Sequence, residues 1–168
     1  MEEIEELTLK NLAQFLPVFE EILKTGFPEY SPELIDFLIN KDYPPKIIEE
    51  KLKKNQWWGL MARIDGKIVG FSLIDILYGG VSYANWLGVK KEFRRRGVGS
   101  LLMTEWEKKV KAAGGHKLIL ITQSRKNRSF YFKKGFKEEG FEEKSWFGLD
   151  CWKFGKVIGE PKPEVFLK

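Results

Sequence analysis

Apolar positions recur along this chain with two different periods, and the change falls near residue 57. Ahead of it, a short strand is expected near Glu5 to Leu9, followed by helices. Leu12, Phe15, Leu16, Phe19, Ile22 and Leu23 stand at helical spacing. Ser31-Pro32-Glu33 reads as a second helix start, with a capping hydroxyl, a first-turn proline and an early acid. Leu34, Phe37 and Leu38 give that helix its apolar face. A third short helix is expected after Pro44-Pro45, carrying Ile47, Ile48 and Leu52.

Beyond residue 57 the pattern becomes strand-like. Trp57 to Ile64 and Lys67 to Leu77 read as two strands joined by Asp65-Gly66, a dipeptide suited to a tight hairpin turn. Val81 to Val89 reads as another strand, in which Gly88 suggests a bulge or a close backbone approach. A helix is expected from about Ser100 to Ala112, buried along Leu102, Met103, Trp106 and Val110 and ended by Gly114-Gly115. Lys117 to Ile121 has the form of a strand buried on both faces. A short helix around Ser129 to Lys134 stops at Gly135, and strands near Lys137 to Trp146 and Leu149 to Val157 complete the order. The layout is mixed α/β. A ligand is expected between Val81 and Ile121, where a helix N-terminus faces the end of a sheet.

Composition narrows the class. The chain has 168 residues, 43% of them hydrophobic and 14% aromatic, with no repeat or flexible linker. One packed domain spanning residues 1–168 is expected. Met1 to Glu6 is acidic where a secretory leader is basic, and no run reaches the ~18 to 20 apolar residues of a membrane span. With Cys151 the sole cysteine and His116 the sole histidine, neither a disulfide framework nor a Cys/His zinc site is expected. The reading is a cytoplasmic protein without metal. The formal net charge is +5, and Lys90, Lys91, Arg94, Arg95 and Arg96 crowd one segment. Such a cluster attracts anions, although charge runs are ordinarily solvated faces.

That segment carries the chemistry. In Arg94-Arg95-Arg96-Gly97-Val98-Gly99-Ser100 the two glycines let the backbone approach a ligand closely, and the following helix offers N–H groups without intrahelical acceptors. Together they suit a pyrophosphate. A P-loop is excluded because no lysine follows Gly99, and a dinucleotide fingerprint lacks its third glycine, with Met103 or Thr104 where a third small residue would be sought. Arg94-x-x-Gly97-x-Gly99, directly after Trp86-Leu87-Gly88-Val89, resembles the acetyl-CoA signature of the GNAT superfamily of N-acetyltransferases. Phe130-Tyr131-Phe132-Lys133-Lys134-Gly135-Phe136 is similar to a second segment of that superfamily, at the matching distance.

The resemblance implies a mostly antiparallel central sheet of about six to seven strands flanked by helices, with a splayed, bulged strand at the CoA site. It divides the domain into acceptor-side helices (about 10–56), an acetyl-CoA-binding core (about 57–136) and C-terminal strands (about 137–158). It implies that acetyl-CoA rests its pyrophosphate on Arg94, Arg95, Arg96, Gly97, Val98, Gly99 and Ser100, and its pantetheine arm on Leu87, Gly88 and Val89. A backbone N–H near Leu87 or Gly88 then polarises the thioester carbonyl. Tyr131 matches the family's general acid, which protonates the departing thiolate. Two positions depart from the pattern. Tyr83 stands where a basic glutamate is frequent, leaving Asp75, Glu139 or solvent to take the proton. Ser124 replaces a frequent asparagine, with Asn127 nearby, and both are candidates for the pantetheine arm. The acceptor is an amine, on a small molecule or on a peptide or protein, and a homodimer is left open. Two other readings stand beside this one: a catalytically idle acyl-CoA sensor, and, less favoured, a basic nucleic-acid-binding module.

Overall fold

The computed structural model describes residues 2–168; Met1, the first residue of the acidic stretch read against a leader, lies outside them. The strands are β1 (Glu2–Leu7), β2 (Trp57–Ile64), β3 (Lys67–Asp75), β4 (Val81–Val89), β5 (Lys117–Thr122), β6 (Lys137–Glu142) and β7 (Cys151–Val157). The helices are α1 (Leu12–Gly26), α2 (Pro32–Phe37), α3 (Pro45–Lys53), α4 (Val98–Ala112) and α5 (Arg128–Lys133). The seven strands lie in the order β1-β2-β3-β4-β5-β7-β6. β1–β2, β2–β3, β5–β7 and β6–β7 pair antiparallel, and β4–β5 pairs parallel. This mixed, mostly antiparallel sheet with flanking helices is the expected fold class.

Local chemistry accounts for the elements. Asp65 (φ 49°) and Gly66 (φ 75°) form the two-residue hairpin between β2 and β3, closed by the Ile64–Lys67 pair. Ser31 caps α2 by accepting from the Leu34 N–H at 3.2 Å. Past Phe37 the chain widens into a π-helical turn, Leu38–Asp42, which the apolar pattern did not announce. The first strand starts earlier than its apolar pattern suggests, because Glu2 to Glu6 pair with β2 through backbone groups. Asn11 locks that strand to α1: its Oδ1 accepts from the Thr8 N–H at 2.7 Å, and its Nδ2 donates to the Glu6 carbonyl at 2.9 Å.

The residues gather into two compact units, Met1–Ile76 with Asn85–Trp106, and Leu77–Ala84 with Glu107–Lys168. In the first, α1 lays Phe15, Phe19, Ile22 and Leu23, all fully or almost fully buried, against β3. Phe71 meets Phe15 edge-on at 5.2 Å and Phe19 at 5.3 Å. In the second, Leu118 and Leu120 of β5 and Phe154 of β7 are buried with Val110 of α4 and Tyr131 of α5.

Gly88 sits where α1 crosses β4. A Cβ there would lie 2.5 Å from Ile22 Cγ2 and 3.1 Å from Phe71. Of the two readings of that glycine, close approach is the one with a visible cause. Gly88→Ala is expected to lower stability by about 1–3 kcal/mol through overpacking. Ile22→Ala in the same chain removes the clashing methyl, so the two losses measured by urea unfolding should sum to more than the double variant's loss. Simple additivity would contradict the contact.

Candidate functional site

The first unit carries the basic turn. After β4 the chain makes a short 3₁₀ turn at Lys91–Phe93 and reaches α4 through Arg94 to Gly97. Arg95 (φ 62°) and Gly97 (φ 88°) both occupy the left-handed region. Left-handed residues in a tight turn swing backbone N–H groups to one side, the geometry of an anion-binding concavity. Nothing lies within 4 Å of where a Gly97 Cβ would stand, so the turn faces open space there. The first helical bond runs from the Leu101 N–H to the Gly97 carbonyl at 2.9 Å. Val98, Gly99 and Ser100 therefore head α4 with N–H groups that have no intrahelical acceptor, at the positive end of the helix dipole. A buried Val98 side chain anchors this end. The arrangement fits a pyrophosphate.

The five basic residues divide by what they touch. Lys90 Nζ pairs with Glu21 Oε2 of α1 at 2.8 Å, and its N–H donates to the Val69 carbonyl at 2.9 Å. Arg94 donates from Nε to the Val89 carbonyl and from Nη2 to the Gly26 carbonyl, each at 3.1 Å. The Arg96 guanidinium lies 5.4 Å from the Phe93 ring centroid. Arg95, Arg96 and Lys91 are exposed beside the turn. Leu87, Gly88 and Val89 belong to the same unit, and the parallel register of β4 with β5 runs from Val81–Lys117 to Ala84–Leu120, ahead of them.

An aromatic box adjoins them. Trp86 receives the edges or faces of Phe27 at 5.3 Å, Tyr43 at 5.4 Å and Tyr30 at 6.4 Å, while Tyr43 stacks on Trp57 at 5.9 Å. Burial pushes the Tyr43 phenol up. The Trp86 indole N–H leans on its oxygen and opposes that shift without completing a hydrogen bond, and the charges of Asp42 and Asp75 add to it. Asp75 pairs across strands with Trp57 and accepts from Asn85 Nδ2 at 2.7 Å. Asn85 was missed because its role depends on a partner ten positions away.

The second unit carries Tyr131, Ser124 and Asn127. Tyr131 is 7% exposed, packed against Phe154 at 5.4 Å and Phe136 at 6.1 Å. The Phe136 N–H closes the end of α5 by donating to the Tyr131 carbonyl at 3.1 Å, with Gly135 (φ 82°) making the turn. Burial pushes the Tyr131 phenol up to about 12. The Ser124 N–H donates to Thr122 Oγ1 at 3.1 Å, and Asn127 precedes α5 with a side chain that makes no capping bond. Tyr83 pairs with Ile119 of β5 and is half-buried. Cys151 is buried and accepts from Gln123 Nε2 at 3.4 Å, the setting of a structural thiol.

Residues 16–136 match the model of the acetyltransferase (GNAT) family. The chain belongs to that family. It is an N-acetyltransferase by class. A spermidine N(1)-acetyltransferase of Thermoplasma acidophilum is 28% identical over 144 residues, covering 82% of this chain and 89% of that protein. An acetyltransferase of Photorhabdus laumondii is 31% identical over 109 residues, 64% of this chain and 76% of its own length. The crystal structure of PaiA N-acetyltransferase from Thermoplasma acidophilum, solved with coenzyme A, superposes with a TM-score of 0.81 at 26% identity, covering 94% of this acetyltransferase and 99% of that chain. Among the described residues no helix is long and apolar enough to cross a membrane, and no group of three or more His, Cys, Asp or Glu side chains is placed to hold a metal ion.

The buried phenol gives a direct test. Because its value is raised from 10.0 to about 12, Tyr131 keeps its proton at any pH below the ordinary tyrosine range and well into it. In a spectrophotometric titration the acetyltransferase and its Tyr131→Phe variant should show the same phenolate absorbance up to about pH 11. A difference already present at pH 10 would contradict the burial argument.

Proposed function

We propose that this acetyltransferase moves the acetyl group of acetyl-CoA to a primary amine by direct attack in a ternary complex, in the cytoplasm. The observation that carries the reading is the turn from Arg94 to Ser100: two left-handed residues, open space beside Gly97 and the unpaired N–H groups heading α4. Val98, Gly99 and Ser100 hold the pyrophosphate with their N–H groups, and Arg95 and Arg96 add charge. Leu87, Gly88 and Val89 offer strand backbone to the amides of the pantetheine arm. Ser124 and Asn127 supply side-chain hydrogen bonds to the same arm. Acetyl-CoA supplies an activated acetyl group as a thioester.

Tyr131 is the proton donor in this reading. Its phenol holds a proton throughout the physiological range, which a donor requires. An ordinary thiol titrates at about 8.5, so the phenol passes its proton to the leaving sulfur only where that thiolate, shut away from water beside it, is raised toward the phenol's own value. The acceptor side rests on the aromatic box and on Asp75. Rings with adjacent carboxylates suit a cationic amine, and the Thermoplasma relative named for spermidine fits that class. Asp75, steadied by Asn85, is placed in this reading to hold the ammonium group before it loses its proton.

Calorimetry with acetyl-CoA and thiol release over a panel of amines test the two halves. Binding at micromolar acetyl-CoA is expected, and Gly97→Trp should abolish it with the fold intact; retained affinity would remove the pyrophosphate from this turn. Tyr131→Phe should slow turnover roughly 10²-fold, the scale of general-acid catalysis, with acetyl-CoA affinity nearly unchanged. Asp75→Asn should raise KM for diamines about tenfold or more, the loss of ~1.4 kcal/mol. Equal KM values in both proteins would discard Asp75 as the acceptor's anchor. Binding without thiol release for any amine would favour the idle sensor.

A further inference from the structure

Arg94 opens the glycine motif, yet its side chain turns away from the role its charge suggests. Nε and Nη2 each donate at 3.1 Å to a backbone carbonyl, that of Val89 at the end of β4 and that of Gly26 at the end of α1. The Gly26 carbonyl is one of the last four in its helix and lacks an intrahelical partner, so a cation there meets both an open acceptor and the negative end of the dipole. The approach is close: a Cβ on Gly26 would stand 2.9 Å from Arg94 Nη2, so the guanidinium would have to shift to admit one.

What Arg94 holds is the start of the acceptor-side loop. Directly after Gly26, Phe27 stacks on Tyr30 at 5.1 Å, and both rings meet Trp86. Trp86 immediately precedes Leu87–Val89. A second tie runs in parallel, from Lys90 to Glu21 one turn earlier on α1. Thus two of the five clustered cations bind α1 rather than face a ligand.

We propose that Arg94 is a positioning residue: it fastens the cofactor turn to the loop of residues 26–30, so that seating the donor steadies the wall of the acceptor site. The inference rests on reading Arg94–Ser100 as the cofactor's turn. Coupling of this kind is reciprocal, so an acceptor that orders the loop also favours the donor.

Hydrogen exchange of the whole protein, with and without saturating acetyl-CoA, reads the coupling without turnover. In the unmodified chain acetyl-CoA should slow exchange across residues 26–30 by about fivefold or more. Arg94→Gln should leave acetyl-CoA affinity within about threefold by calorimetry but abolish that slowing, and Gly26→Ala, which displaces the guanidinium, should reproduce the effect. Arg95→Gln should do the reverse, weakening acetyl-CoA while the bound form still slows the loop. Exchange at 26–30 that ignores acetyl-CoA in the unmodified chain, or an Arg94→Gln variant that loses affinity as Arg95→Gln does while keeping the slowing, would overturn the proposal. Unchanged acetyl-CoA affinity in Gly97→Trp and Arg95→Gln would instead fail the reading of the turn, and the two failures are read on different instruments.

Discussion

The head of α4 packs closely on β3, and α1 on β4, because each strand presents a glycine at the contact. A Cβ on Gly70 of β3 would stand 3.0 Å from the Gly88 carbonyl and 3.1 Å from Val98 at the start of α4. A Cβ on Gly88 would strike Ile22 of α1 on the other side. Cores are packed to crystal-like density, so methyl groups at these positions would force helix and strand apart. With both absent, α1 and the start of α4 close on β3 and β4, and the turn between β4 and α4 is pulled into a tight curl. The open N–H groups, the bond from Arg94 to Gly26 and the loop around Trp86 all inherit their places from that closure.

The same unit joins two kinds of chemistry. At the turn, backbone donors and exposed arginines favour an anion. At the box formed by Phe27, Tyr30, Tyr43, Trp57 and Trp86, buried and half-buried rings and the carboxylates of Asp42 and Asp75 favour a cation. A net charge of +5 hides this division. In the other unit Tyr131 is buried among Phe130, Phe136 and Phe154, and that burial holds the proton on its phenol.

Much of the fold was legible because its signals are local. The Asp65-Gly66 hairpin, the Ser31 cap and the apolar stripe of α1 each depend on residues a few positions apart, and each is present. The glycine motif and the Tyr131 segment named the family for the same reason. Features set by distant partners were not legible. The Asp75–Asn85 pair forms only when one strand is laid beside the next, and the contacts of Trp86 with Phe27 and Tyr43 arise only once segments far apart in sequence are packed. Arg94 is the sharpest case: its position in the motif suggested an anion, and its side chain spends two donors on carbonyls of α1 and β4. The extra length of β1 was hidden too, because its glutamates pair through the backbone and leave no hydrophobic trace.

The central claim is that backbone N–H groups of the turn grip the anionic part of acetyl-CoA. Amide-resolved NMR titration of the ¹⁵N-labelled protein measures this at the atoms concerned. At saturation the amide signals of Gly97, Val98, Gly99 and Ser100 should move downfield and become protected from solvent exchange, as hydrogen-bonded donors do, and the same titration with a CoA analogue lacking the pyrophosphate should leave them in place. Saturable binding that shifts other amides and leaves these four unmoved would contradict the account.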